Sequence, residues 1–344
     1  MGIHIEIRGV DSKKTFTPGE AVPGVVYMRL HRSTVLSDIN VSLQGSIQTS
    51  IIEKGPPFIL GNDSPTVVTQ HIELLKSQKT LHPPTNIYLT AGGYTLAKGE
   101  YTFPFEVAFP ETMRAKYEDK PSSVPMGLPP SFHVRSIDHG AEVKIEYVLK
   151  VGVRRPGRLR KRTSLQQILE FSPLHTPLHT ISSPRPGYYS SNDAVSILSL
   201  EGTTLSPVLY AGGQLSLHLS LRSYLSQTEL ILPLRLRSLA ITLQSTTAIT
   251  AGTQSTSWTS SRPLYRVDGL KKLVCCFQES EALSDINDTL QNVVIPEVTP
   301  TFTTTTVQHR YSLGITAVVS VGQDPNSMPI NLVLDVEIWP RVSA

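Results

Sequence analysis

Apolar and polar residues alternate with a period of two along most of this chain. Tyr101, Phe103, Phe105, Val107 and Phe109 are separated by small or polar residues, and so are Val143, Ile145, Tyr147, Leu149, Val151 and Val153. A period of two predicts strands with one buried face. Between these two strands Pro121, Pro125, Gly127, Pro129 and Pro130 stop either from continuing, predicting a strand, a long crossing loop and a strand. Further strands are expected over Ile3, Ile5 and Ile7, over Val25 to Leu30 after the turn Thr17-Pro18-Gly19-Glu20, and over Ile39 to Ile47.

The second half repeats this order. Ala211-Gly212-Gly213-Gln214 leads into Leu215, Leu217, Leu219 and Leu221. Leu239-Ala240-Ile241-Thr242-Leu243-Gln244-Ser245 mirrors Ile39-Asn40-Val41-Ser42-Leu43-Gln44-Gly45. Pro300-Thr301-Phe302 precedes Tyr311 and Leu313 as Pro130-Ser131-Phe132 precedes Tyr147 and Leu149, and Leu332 to Ile338 forms the last strand. The pattern predicts an all-β chain of two tandem antiparallel, immunoglobulin-like β-sandwich domains. Their expected bounds are 1–155 and 195–344, joined by a basic, Pro- and Ser-rich linker over 156–194. Two short segments carry helical signals: Ser164 to Glu170, with a cap and good helix formers, and Ser280 to Leu290, with Leu283, Ile286 and Leu290 at helical spacing.

A length of 344 residues suits two cores. Charged residues are 17% of the chain, below the usual ~25%, which favours strands and turns over exposed helices. The formal charge of +3 is uneven: residues 1–193 hold 22 Lys and Arg against 17 Asp and Glu, and residues 194–344 hold 9 against 11. The excess is the cluster Arg154, Arg155, Arg158, Arg160, Lys161 and Arg162. This basicity is local and gives no argument for general nucleic-acid binding. The cluster reads as a solvated strand end, as a contact for an anionic membrane surface, or as an import signal. After it, Thr163, Ser164, Ser172, Thr176 and Ser183 are candidate phosphorylation sites, the last three each preceding proline.

The only cysteines, Cys275 and Cys276, are adjacent, so on a strand they point to opposite faces and do not suit a disulfide with each other. No apolar run reaches the ~18 residues of a membrane span, and MGIHIEIRG alternates with charges, unlike a signal-peptide core. A cytoplasmic protein is expected, in which Asn40, Asn62 and Asn287 match the glycosylation pattern only by chance. No nucleophile elbow, phosphate loop or zinc-ligand spacing is present. His175 and His179 share a helical spacing, but Pro177 between them disfavours that helix. No catalytic residue, metal or cofactor is expected. Phe132, Tyr147, Phe302 and Tyr311 read as core, since they alternate with other buried apolar positions.

These residues resemble the arrestin superfamily, most closely the fungal arrestin-like (alpha-arrestin type) proteins. The resemblance rests on Gly19-Glu20 and its following strand, Ile39 to Gly45, Gly99-Glu100-Tyr101-Thr102-Phe103-Pro104-Phe105-Glu106 with Phe109-Pro110, Leu128 to Phe132, and Val143 to Arg155. It implies a non-enzymatic adaptor that binds cytosolic tails of membrane transporters or receptors, at the plasma membrane or endosomes. It also implies recruitment of a HECT-type ubiquitin ligase for endocytosis. That ligase is usually caught through Pro-Pro-x-Tyr, which this chain lacks, so contact would run through another adaptor or a degenerate motif. The alternative is a structural or ligand-carrying β-sandwich with no ligase link.

Overall fold

The structure, a computed structural model, describes residues 3–53, 65–83, 93–111, 127–157, 163–173, 187–190, 198–204, 208–223, 234–270, 272–275, 283–285, 290, 293–321 and 327–340. Its described elements are all strands, as the alternation predicts. The chain divides into two compact units. One comprises Met1–Leu174 with Ile249–Thr256, and the other His175–Ala248 with Ser257–Ala344.

The first unit holds β1 (Ile3–Arg8), β2 (Thr15–Phe16), β3 (Ala21–Leu30), β4 (Thr34–Leu36), β5 (Asp38–Glu53), β6 (Thr66–His82), β7 (Tyr94–Leu96), β8 (Gly99–Ala108), β9 (Phe132–Ser136), β10 (Ala141–Arg154) and β11 (Thr163–Phe171). One sheet runs β1-β3-β8. The other runs β2-β11-β10-β5-β6, with β9 also paired to β10, and β4 pairs β7. The second unit holds β12 (Gly187–Ser190), β13 (Leu198–Thr204), β14 (Val208–Tyr210), β15 (Leu217–Ser223), β16 (Leu234–Ala251) and β17 (Gln254–Val267) apart from their joined ends over Ile249–Thr256, β18 (Lys272–Cys275), β19 (Leu283–Asp285), β20 (Phe302–Thr303), β21 (Val307–Val321) and β22 (Ser327–Trp339). Its sheets run β12-β13-β15-β19 and β14-β22-β21-β16-β17, with β20 on β21 and β18 on β16.

The larger sheets of the two units are the same sheet twice. β2-β11-β10-β5-β6 with β9 on β10 corresponds strand for strand to β14-β22-β21-β16-β17 with β20 on β21. In both, the first strand is parallel to its neighbour. Phe132 lies opposite Ile145 as Phe302 lies opposite His309.

Side-chain bonds repeat as well. The buried Tyr147 hydroxyl donates to the Pro129 carbonyl at 2.6 Å, and the Tyr311 hydroxyl donates to the Thr299 carbonyl at 2.8 Å; each acceptor precedes the proline of the repeated motif. Ser131 accepts the Phe171 amide on its hydroxyl at 2.9 Å while its own amide donates to the Phe171 carbonyl. Thr301 does the same with Ile338. The turns match too: the Gly19 amide donates to Phe109 and the Gly212 amide to Ile295, both glycines having φ in the left-handed region, 76° and 70°.

This places Ile295-Pro296-Glu297 as the second copy of Phe109-Pro110-Glu111, a repeat the alternation did not single out. In the first unit Phe16, Phe109, Phe171 and Tyr147 form a cluster of rings with centroids 4.8–5.8 Å apart. At the corresponding places the second unit buries Leu209, Ile295, Ile338 and Tyr311. Only the tyrosine keeps its chemistry, because it alone carries a hydrogen bond to a loop.

Phe132, Tyr147, Phe302 and Tyr311 are all buried, as expected for core. The helical expectation over Ser164 to Glu170 fails, and that over Ser280 to Leu290 is described only at 283–285 and 290, the rest lying outside the described residues. Residues 163–171 form β11, whose Leu169 and Phe171 are buried in alternation while Ile168 stays exposed. Pairing to β10 from Thr163 opposite Val153 to Leu169 opposite Tyr147 outweighs the helix propensity of a short segment. Within Ser280 to Leu290, Leu283–Asp285 is the strand β19, paired to β15. Residues 163–171 are therefore sheet and not linker, and the first unit extends to Leu174.

Candidate functional site

The basic cluster begins where β10 ends. Strands β5 and β10 pair in one register from Asp38 opposite Arg154 to Ile51 opposite Ala141, so the last residues of that ladder carry opposite charges. Arg154 Nε and Nη2 both lie 2.6 Å from Asp38 Oδ2, and Asn40 Nδ2 donates to Asp38 Oδ1 at 2.7 Å. The Asp38 side chain is only 14% exposed while that of Arg154 is 55% exposed. The carboxylate is thus held in place and the guanidinium folds down onto it. A pair this open contributes no more than ~1 kcal/mol, but it neutralises one charge of the cluster.

Beside it, the ring of Tyr94 on β7 packs edge-on against His82 at 4.4 Å, and His82 also meets Phe103 at 5.7 Å. Burial, and then the negative charge of Asp38, push the Tyr94 hydroxyl well above its ordinary pKa. Burial pushes His82 down. Both the Tyr94 hydroxyl and Arg155 Nε are buried without a hydrogen-bond partner among the described residues. The approach is set by Gly93: at φ 78° a side chain is strained, and a Cβ there would run into the Leu36 carbonyl. Sequence reading found the arginines by their run of charge. It missed Asp38, which reaches Arg154 only through sheet register, and with it Tyr94, which feels the charge of Asp38, and His82, which packs on Tyr94.

Of the predicted site residues, Arg154 and Arg155 lie in this corner. Arg158, Arg160, Lys161 and Arg162 lie outside the described residues. Thr163 and Ser164 begin β11, opposite Val153 and Gly152, with Ser164 exposed and Thr163 half-buried. Ser172 is half-buried, and its amide donates to the Phe16 carbonyl at 2.9 Å. Thr176, Ser183, His175 and His179 lie outside the described residues.

Compared with known families, residues 3–170 match the family described as arrestin (or S-antigen), N-terminal domain. That match spans β1 to β11 and supports the arrestin-superfamily resemblance over that stretch. No curated protein matches the chain. No helix among the described residues is long and apolar enough to cross a membrane.

Proposed function

We propose that this chain, whose residues 3–170 match the arrestin N-terminal domain, is a non-enzymatic cytosolic adaptor of the fungal alpha-arrestin type. It holds the cytosolic tail of a membrane transporter or receptor against its folded domains while another protein acts on the tail. That second protein is a HECT-type ubiquitin ligase, reached through a further adaptor since Pro-Pro-x-Tyr is absent, and the outcome is endocytosis. The observation that carries the reading is the family match over the first unit, joined to the repeat of its larger sheet in the second.

The basic cluster supplies contact with an anionic membrane surface, each free basic residue near such a surface being worth about 1 kcal/mol. Arg155, Arg158, Arg160, Lys161 and Arg162 carry this role, with Arg154 committed to Asp38. Phosphate on Thr163, Ser164, Ser172, Thr176 or Ser183 adds nearly two negative charges next to that run and weakens the contact. A pull-down from detergent-solubilised membranes tests the reading, comparing the parent with a version neutralised across Arg154–Arg162. Transporters or receptors are expected in the parent sample and reduced by neutralisation. Recovery of soluble proteins alone, insensitive to the change, leaves the structural β-sandwich as the better description.

A further inference from the structure

Sheet edges distinguish one stretch of this fold from the rest. An edge strand offers a row of unpaired backbone N–H and C=O groups, and folded proteins blunt such rows with short strands, charges, proline or bulges. Among the described strands most edges are blunted in these ways. β2, β12, β14 and β19 have two to four residues. β1 alternates with His4, Glu6 and Arg8, and β8 carries Glu100, Pro104 and Glu106. The long edge β17 presents Ser255, Ser257, Thr259 and Ser261, then Arg262, Pro263 and Arg266.

β6 ends the larger sheet of the first unit, and its two halves differ. The second half carries Lys76 and Lys79, and its register to β5 slips at Leu74 and again at Leu81. The first half, Thr66 to Glu73, runs without a slip opposite Glu53 to Ser46. From Thr66 to Ile72 it reads Thr-Val-Val-Thr-Gln-His-Ile, with high strand propensity and neither proline, lysine, arginine nor carboxylate.

An exposed apolar row leads to this edge. Ile137, in the turn between β9 and β10, is 86% exposed. The same turn closes on Ile52, whose amide donates to the Gly140 carbonyl at 2.8 Å. Ile52 is 38% exposed and faces Val67, 56% exposed, across the β5–β6 ladder. Ile52 and Val67 thus lead to an edge that no described strand pairs, while Gln70, whose side chain alternates with that of Val67, accepts from the Gly252 amide at 3.1 Å.

We infer that Thr66 to Ile72 is a strand-addition site for an extended peptide segment of a partner protein, paired along the edge of β6 that no described strand covers. A strand added there satisfies the open backbone groups and extends the apolar row past Val67, so the segment it takes has a β-branched or other apolar residue beside Val67. It is uncharged through the middle, because Glu73 at the end of the edge is already paired to Lys76 at 3.5 Å. The occupant is a peptide and not a second copy of this chain. A seven-residue edge buries far less than the ~1,200 Å² of stable interfaces, which suits transient capture of a segment. The inference stands on the edge itself and does not depend on the adaptor reading.

The test uses the full chain and a labelled peptide of alternating valine and threonine with one lysine at each end, followed by fluorescence anisotropy. A second peptide has alternate backbone amides N-methylated, which blocks strand pairing and keeps the side chains. Saturable binding is expected for the first peptide. At least a tenfold loss is expected for the methylated peptide and for the double variant Val67→Lys, Thr69→Lys, whose positions are exposed and leave the fold intact. The variant Thr259→Lys, on the β17 edge, is expected to bind as the parent does. Hydrogen exchange of the parent should slow over 66–73 when peptide is added. No saturable binding, equal binding by both peptides, or a loss caused by Thr259→Lys overturns the inference. A concentration-dependent dimer abolished by Val67→Lys also overturns it, by assigning the edge to a second copy.

Discussion

Tyr147 reaches across the first unit to donate its hydroxyl to the Pro129 carbonyl at 2.6 Å, from a ring with no exposed surface. The ring needs Gly45 opposite it, since a Cβ there would lie 2.7 Å from the ring carbons. The bond ties the loop before β9 to the middle of β10. Tyr147→Phe should therefore cost about 1–3 kcal/mol, mostly through the buried carbonyl left unpaired. Tyr147→Ala should cost ~3–5 kcal/mol, a large share of a stability of roughly 5–15 kcal/mol. Thermal melts of the two variants should rank in that order, and equal melting with the parent counts against the tie.

Phe171 separates sheet from linker. If residues 156–194 were all linker, Phe171→Ala would be neutral. With Phe171 stacked on Phe109 at 4.8 Å and bonded to Ser131 through both backbone groups, the change should cost ~3–5 kcal/mol. Ser131→Ala should cost about 1 kcal/mol by orphaning the Phe171 amide, and Thr301→Ala should cost a similar amount at Ile338. Chemical denaturation of the three variants checks this.

His309 gives the second unit a pH dependence that the matching position of the first lacks, because Ile145 stands there. Its Nε2 lies 2.9 Å from the Tyr311 hydroxyl, which already donates to Thr299, so Nε2 carries the proton. Nδ1 is left to accept from Thr247 Oγ1 at 2.9 Å. Burial lowers its pKa from 6.5 to about 4. The folded state then binds fewer protons than the unfolded state between those values. The stability contributed is whole above pH 6.5, falls as pH drops towards 4, and changes no further below it. The loss across that window is on the order of 3 kcal/mol. The double variant Thr247→Val, His309→Ile should flatten the curve in denaturation measured from pH 7.5 to 4. An unchanged slope would assign the effect to other groups.

Asp38 limits the charge that the β10 end can offer. Asp38→Asn should release Arg154 and raise affinity for vesicles containing anionic lipid by about fivefold, equivalent to roughly 1 kcal/mol, with the gain fading in high salt. Co-sedimentation with vesicles at two salt concentrations measures it, and no gain at low salt argues that the corner does not face lipid.

Much of the fold was legible because strands with one buried face write their period directly into the sequence. Val143 to Val153 and Leu332 to Ile338 were read on the correct face for that reason. The duplication was partly legible, since Pro-Ser/Thr-Phe and Tyr are fixed by hydrogen bonds and kept their identity. The copy of Phe109 at Ile295 was not, because burial alone constrains it and any large apolar side chain serves. β11 was misread because Leu165, Gln166, Gln167 and Leu169 favour helix locally, and only the edge of β10 makes them a strand. The arginine corner was half legible: a run of charge shows in sequence, while its partner Asp38 sits 116 residues away in the chain.

Proximity labelling from the full chain in its native host tests most directly the proposal that it scaffolds membrane-protein tails. Transporters or receptors, labelled on their cytosolic segments, are expected to lead the enriched set together with components of a ubiquitin ligase. A set containing only soluble proteins, with no membrane protein enriched over a cytosolic control, would contradict it.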